Sequence, residues 1–170
     1  LLLPPNWAVV FASQKDLQEA MQGNPEVSDM SKRFNEVDPD VFRLVAMNVD
    51  RTYIKAGSPT LLTINAYKDA VASAMPMAFV TAMIEDKILQ DATSTTWNVI
   101  ENANGVEVGI VEGARTFAFP GANIRVREMV IAFQANKKLI VIEIAVPTQY
   151  AEQILTPFDE TIDTIKVDIR

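Results

Sequence analysis

The stretch EGARTFAFPGANIRVREMVIAFQANKKLIVIEIAVP, Glu112 to Pro147, decides how this chain folds. It reads as three strands joined by two tight turns. The first two, GVEVGIVEGARTFAF and NIRVREMVIAFQA, are long runs rich in β-branched and aromatic residues. Gly121-Ala122 and Asn136-Lys137 are suited to two-residue hairpin turns, and Asn104-Gly105, one strand earlier, is the strongest such signal. Strands joined by two-residue turns must run antiparallel, because a parallel pair needs a long crossover. The third strand, KKLIVIEIAV, is apolar on both sides of its pleat: Ile140, Ile142, Ile144 and Val146 on one, Leu139, Val141 and Ala145 on the other. Such a strand wants cover on both faces.

Working outward, Trp7 to Ala12 fits a short strand after the double proline Pro4-Pro5. Ser13 to Gly23 has a serine cap, apolar residues at helical spacing and a glycine stop. Asn24 to Val37 starts as a second helix with an Asn cap, Pro25 in the first turn and Glu26 at the positive end of the dipole. VFRLVAMNVD and TLLTINAYKD are β-rich. Met75 to Asp91 is helical by period, with Met77, Val80, Met83, Ile84 and Ile88 making a broad apolar face. TWNVIENA precedes the meander. A last helix runs from about Thr148 through Ile162, kinked or divided by Pro157, and IKVDI closes as a strand or tail. No repeat or linker interrupts the 170 residues, so one domain over 1–170 is expected. The predicted class is α+β, a mainly antiparallel sheet with helices on both faces.

Composition narrows the chemistry. The formal net charge is −7, with 15 Lys and Arg against 22 Asp and Glu. An acidic field repels phosphate backbones, which argues against a nucleic-acid partner. There is no cysteine and no histidine. That removes disulfides, thiolate nucleophiles, zinc-thiolate sites and the usual general base near neutral pH. A metal would need an all-oxygen site for a hard cation, and neither DRTYIKAGS nor FDETIDTIKVD has a calcium-loop pattern. No phosphate-binding or dinucleotide fingerprint is present, and no serine sits on a nucleophile elbow. No metal and no cofactor is expected. The run AVASAMPMAFVTAMI falls short of the roughly 20 apolar residues that span a bilayer. No basic segment precedes LLLPPNW, so the numbered chain is expected to lack a signal peptide; it could be the mature part of a longer precursor.

Three features are candidates for a site. Arg115, Arg125 and Arg127 stand at alternating positions. With Gly121-Ala122 as the hairpin tip, Phe119 would lie opposite Ile124, Phe117 opposite Val126, and Arg115 opposite Glu128 on one face. Arg125, Arg127 and Thr116 would share the other face. A guanidinium row suits an anion or carboxylate, so these three are the ligand-binding candidates; the alternative is a solvated sheet face. Met75, Met77, Met83 and Phe79 form a stripe that is either core or an adaptable peptide-binding surface. Glu143, a lone acid in LIVIEIAV, would have a raised pKa if buried unpaired, which makes it the candidate base of a small carboxylate-dependent hydrolase or isomerase. Its alternative reading is an ion pair with a neighbouring strand.

The order of elements also resembles a known group. LPPNW, FRLVAMNVD, TLLTINAY, a long helix, a meander ending in KLIVIEIAVP and then FDETIDTIKV are similar to the PsbP-like superfamily, which includes photosystem PsbP, the Ran-binding Mog proteins and bacterial lipoproteins of the DcrB and LpqN type. The resemblance covers nearly the whole chain. It implies an α-β-α sandwich and a non-catalytic binding or assembly role, for a protein or small ligand. For the bacterial members it implies export, with membrane-surface association through a lipid anchor that has been removed here. The cytoplasm is the alternative location. No site residue carries over, because the histidines and basic arm of PsbP have no counterpart. Assembly as a monomer or as a homodimer joined by an exposed strand edge both fit.

Overall fold

A computed structural model of the chain describes residues 2–11, 42–52, 60–68, 71–88, 92–119 and 122–167. The two helices expected over Ser13 to Val37 lie outside the described residues, as do both residues between the longest strands, Pro120 and Gly121.

Among the described residues, seven strands make one antiparallel sheet. In chain order they are β1 (Trp7–Phe11), β2 (Phe42–Asn48), β3 (Leu61–Tyr67), β4 (Ser94–Glu101), β5 (Glu107–Phe119), β6 (Ala122–Ala135) and β7 (Lys138–Pro147). Across the sheet the order is β1-β2-β3-β7-β6-β5-β4. Helix α1 (Met77–Ile88) joins β3 to β4. The chain therefore climbs by meander to β3, crosses to the far edge, and returns by a second meander that seats β7 between β3 and β6. The protein is α+β, with mainly sheet content.

The turns show why the strands pair as they do. Asn136 and Lys137 both have positive φ, 49° and 61°. That is the geometry whose twist matches the flanking strands, and Ala135 pairs Lys138 across it. The link between β4 and β5 is longer than the expected two-residue turn. Asn102 organises it: its Oδ1 accepts from the backbone N–H of Asn104 and of Val106, each at 3.0 Å. Gly105, at φ 74°, supplies the left-handed residue.

The expected long C-terminal helix is divided. A 3-10 turn at Thr148–Tyr150 leads into α2 (Ala151–Leu155), and α3 (Phe158–Asp163) starts directly after Pro157. Residues 165–167 continue without regular structure, although Ile165 is buried.

Neighbouring residues along β6 go to different apolar clusters. Met129, Ile131 and Phe133 pack with Ile142, Ile144 and Val146 of β7, and with Ile154, Leu155, Phe158 and Ile162 of the C-terminal helices. Val130 and Ala132 pack with Leu139 and Val141 of β7 and with Met77, Val80 and Ile84 of α1. Trp7 joins the first cluster edge-on to Phe158, ring centroids 5.5 Å apart. Each fully buried aliphatic side chain contributes on the order of 1.5–3 kcal/mol of transfer free energy. Helix α1 is held close to β5 by a missing side chain. A Cβ on Gly109 would run into the Thr81 hydroxyl, which donates to the Met77 carbonyl at 2.7 Å.

Candidate binding surface

β5 and β6 have 13 and 14 residues, against 8 in β4 and 10 in β7. The difference produces an arm. β4 leaves β5 at the Ser94–Ala114 pair. β7 leaves β6 at the Val126–Pro147 pair. From Thr116–Arg125 to Phe119–Ala122, the two long strands pair only with each other among the described residues. Thr116, Asn123, Ile124 and Arg125 are all exposed on this arm.

The register differs from the sequence expectation. Phe119 pairs Ala122, Phe117 pairs Ile124 and Arg115 pairs Val126, each partner two positions earlier than a Gly121-Ala122 tip would give. Glu128 stands opposite Gly113, and Arg115 reaches it diagonally. A single glycine serves at either central position of a tight turn, so its presence does not set the phase.

This register gives the three arginines different situations. Arg115 is mostly buried and donates to Glu128 Oε1 at 2.7 Å, with Oε2 at 2.5 Å. Arg127 is at the arm's base and holds Glu112 through Nε at 3.1 Å and Nη2 at 2.5 Å. Arg125 lies directly opposite Thr116 and has no ion-pair partner among the described residues. Of the ligand-binding candidates, Arg125 and Thr116 thus sit together on the projecting arm. Arg127 shares their strand parity but is tied to a carboxylate of its own sheet.

Glu143 is half-buried on β7, opposite Thr63 of β3 and Val130 of β6. The Asn65 side-chain amide approaches its Oε1 at 3.5 Å. Tyr67 lies two residues along β3. Burial, and then the Glu143 charge, push its phenol above the ordinary tyrosine value. No group of three or more metal-binding side chains occurs among the described residues, and no described helix is long and apolar enough to cross a membrane.

The methionine stripe divides. Met77 is buried in the second cluster and Met75 packs against it, whereas Phe79 and Met83 are exposed at 63% and 41%. Sequence reasoning missed the arm. Its signal was present as strand length, since GVEVGIVEGARTFAF outruns TWNVIENA by seven residues.

The chain matches no protein-family model and no curated protein. Among solved structures it is similar to the crystal structure of PA94, a protein of unknown function from Pseudomonas aeruginosa. The two are 10% identical with a TM-score of 0.47, over 66% of this chain and 75% of that one. A likeness of that degree assigns no function.

Proposed function

We propose that this protein is a non-catalytic binding or assembly domain that engages a protein partner through the β5–β6 arm, and that it is folded as a PsbP-like α-β-α sandwich. The observation that carries the binding role is the projection of the Thr116–Arg125 segment past both neighbouring strands. A two-stranded ribbon is only marginally stable alone, and a partner that pairs with or covers it completes its surroundings. The arm is two-sided in character. Thr116 and Arg125 alternate with Ile124, which pairs Phe117. A partner surface with an apolar groove beside a carboxylate fits that pattern, with Arg125 giving a local positive charge on a chain of net charge −7. What supports the layered reading is the division of β6 between two clusters, one built with α1 and the other with α2 and α3. The resemblance of LPPNW, FRLVAMNVD and KLIVIEIAVP to the superfamily favours an exported protein of the cell envelope.

Photo-crosslinking residues placed at Thr116 and Asn123 test the arm in cells that make the protein. The expected result is one shared adduct, weakened several-fold by Arg125→Ala or Ile124→Asp and unaffected by the same crosslinker at Glu152. Equal labelling from all three positions removes the arm as the contact. A hydrolytic or isomerase turnover abolished by Glu143→Gln would instead establish the carboxylate-dependent enzyme as the correct reading.

A further inference from the structure

We infer that Asn104 is a deamidation site gated by the C-terminal segment 163–165, and that its reaction releases that segment from the β4–β5 loop in one direction only. Asn104-Gly105 is a turn signal in the sequence, but it is also a reactive pair. Glycine carries no side chain, so its amide nitrogen is open to the asparagine side chain that precedes it. The reaction needs only water. The Gly105 amide nitrogen attacks Asn104 Cγ, the bond from Cγ to Nδ2 breaks, and ammonia leaves with the proton that Gly105 gave up. A cyclic succinimide remains. Water then opens the ring, giving aspartate when the new bond to nitrogen breaks and isoaspartate when the original peptide bond breaks.

The fold holds both reacting groups in other bonds. Asn104 Nδ2 donates to the Asp163 carbonyl at 2.6 Å and to the Ile165 carbonyl at 3.1 Å, which ties the side-chain amide to the C-terminal segment. The Gly105 N–H, which must lose its proton, donates to the Asn102 carbonyl at 2.9 Å. Asn104 and Gly105 are nonetheless exposed, so water already has access to them. What restrains the pair is therefore the bonding, and the segment 163–165 is the gate. Ala103 N–H donates to Asp163 Oδ1 at 3.2 Å, Leu2 N–H donates to Thr164 Oγ1 at 2.8 Å, and Ile165 is 1% exposed. A chain end held by a few bonds and a buried side chain opens locally, well short of global unfolding.

Reaction makes that opening permanent. An ionised carboxylate only accepts hydrogen bonds, so neither product restores the two bonds to the Asp163 and Ile165 carbonyls. Both products also place a second negative charge on a loop whose Ala103 N–H already holds the Asp163 carboxylate. Isoaspartate does more, because it lengthens the backbone inside the turn that Gly105 closes onto Asn102. Ile165 belongs to the first apolar cluster, and its withdrawal opens that cluster to water.

Peptide mapping by mass spectrometry after incubation at mildly alkaline pH reads aspartate and isoaspartate at position 104. Deamidation there is expected to run at least several-fold faster in denaturing urea than in buffer. Ile165→Ala, which loosens the gate, should raise the rate in buffer several-fold. Should that variant fail to fold, urea below the unfolding transition makes the same comparison on the unaltered chain, and the rate should climb before the circular dichroism signal changes. Hydrogen exchange follows the release. The Thr164 and Ile165 amides, which donate to the Thr161 and Ile162 carbonyls, should exchange several-fold faster in Asn104→Asp while those of β6 keep their rates. An unreactive Asn104 in denaturing urea overturns the site. Equal rates in buffer and urea, or a rate that climbs only with global unfolding, overturn the gate. Unchanged exchange at Thr164 and Ile165 in Asn104→Asp overturns the release.

Discussion

The side-chain amide of Asn102 donates to the Ile162 carbonyl at 2.8 Å, closing the end of α3 with a residue sixty positions earlier in the chain. The same Nδ2 donates to the Ile165 carbonyl at 2.9 Å, and Asn104 Nδ2 donates to the carbonyls of Asp163 at 2.6 Å and Ile165 at 3.1 Å. The last carbonyls of a helix have no partner within it, so these two asparagines act as a cap supplied by the β4–β5 loop. Asn102 is buried and its Oδ1 shapes that loop in the same stroke.

Asn102→Ala should therefore cost about 2–4 kcal/mol, since it removes two buried hydrogen bonds to the Ile162 and Ile165 carbonyls and two part-buried ones within the loop. Urea unfolding checks this by a lower midpoint at unchanged slope. Asn104→Ala, at an exposed position, should cost about 1 kcal/mol. Equal losses for the two would refute the central role given to Asn102.

The two Arg–Glu pairs should respond very differently to removal of their acid. Arg115–Glu128 is secluded, with side-chain exposures of 18% and 9%, whereas Arg127–Glu112 has 42% and 28%. Glu128→Ala leaves a guanidinium in a nearly dry site, a loss of about 3 kcal/mol. Glu112→Ala should cost under about 1 kcal/mol, because water replaces the carboxylate around Arg127. The urea midpoints of the two variants, compared with and without added salt, separate these cases.

Parity survived in the sequence where register did not. Taking Gly121-Ala122 as the tip displaced each opposite residue by two, and a shift of two leaves every side chain on its own face. Arg115 and Glu128 therefore still meet, diagonally, and Thr116 still shares a face with Arg125. Asn136-Lys137 was legible because the chain must turn within two residues between two strong β patterns. The Asn102 loop was not, since its length follows from the cap it makes to a helix distant in sequence. The division of the methionine stripe was hidden for a related reason. A helical period shows Met77, Val80 and Met83 as one apolar face, but only the part that meets the sheet is covered: Met77 and Val80 are buried against it and Met83 is exposed. Nor could the arm be read from β5 and β6 alone, because its extent is set by where β4 and β7 stop.

Gly109 and Thr81 should prove coupled. Adding a methyl at position 109 forces α1 away from β5, because the Thr81 hydroxyl occupies that space and Met77 Cε lies 3.2 Å from the same point. Gly109→Ala should lose about 1–3 kcal/mol through overpacking. Thr81→Ala removes the obstructing oxygen, so the double variant should be more stable than the sum of the two single losses allows. A double-mutant cycle by urea unfolding measures this coupling; strict additivity would show that the helix yields elsewhere.

Tyr67 should make the protein sensitive to alkali. Its phenol is held above the ordinary value of 10.0, first by burial and then by the Glu143 charge. A group whose pKa is raised in the folded state contributes fully below its unfolded value and loses that contribution as pH rises through the folded one. The loss should therefore begin near pH 10, where the unfolded chain gives up the proton and the folded chain retains it. Tyr67→Phe has no proton to lose, so its stability should fall less steeply between neutral pH and strong alkali. Glu143→Gln removes only the smaller cause and should lower the Tyr67 pKa part of the way while leaving the burial effect in place. Tyrosinate absorbance followed through a pH titration distinguishes the two variants. A Tyr67 signal unmoved by Glu143→Gln would mean that the carboxylate across β3 and β7 does not act on the phenol.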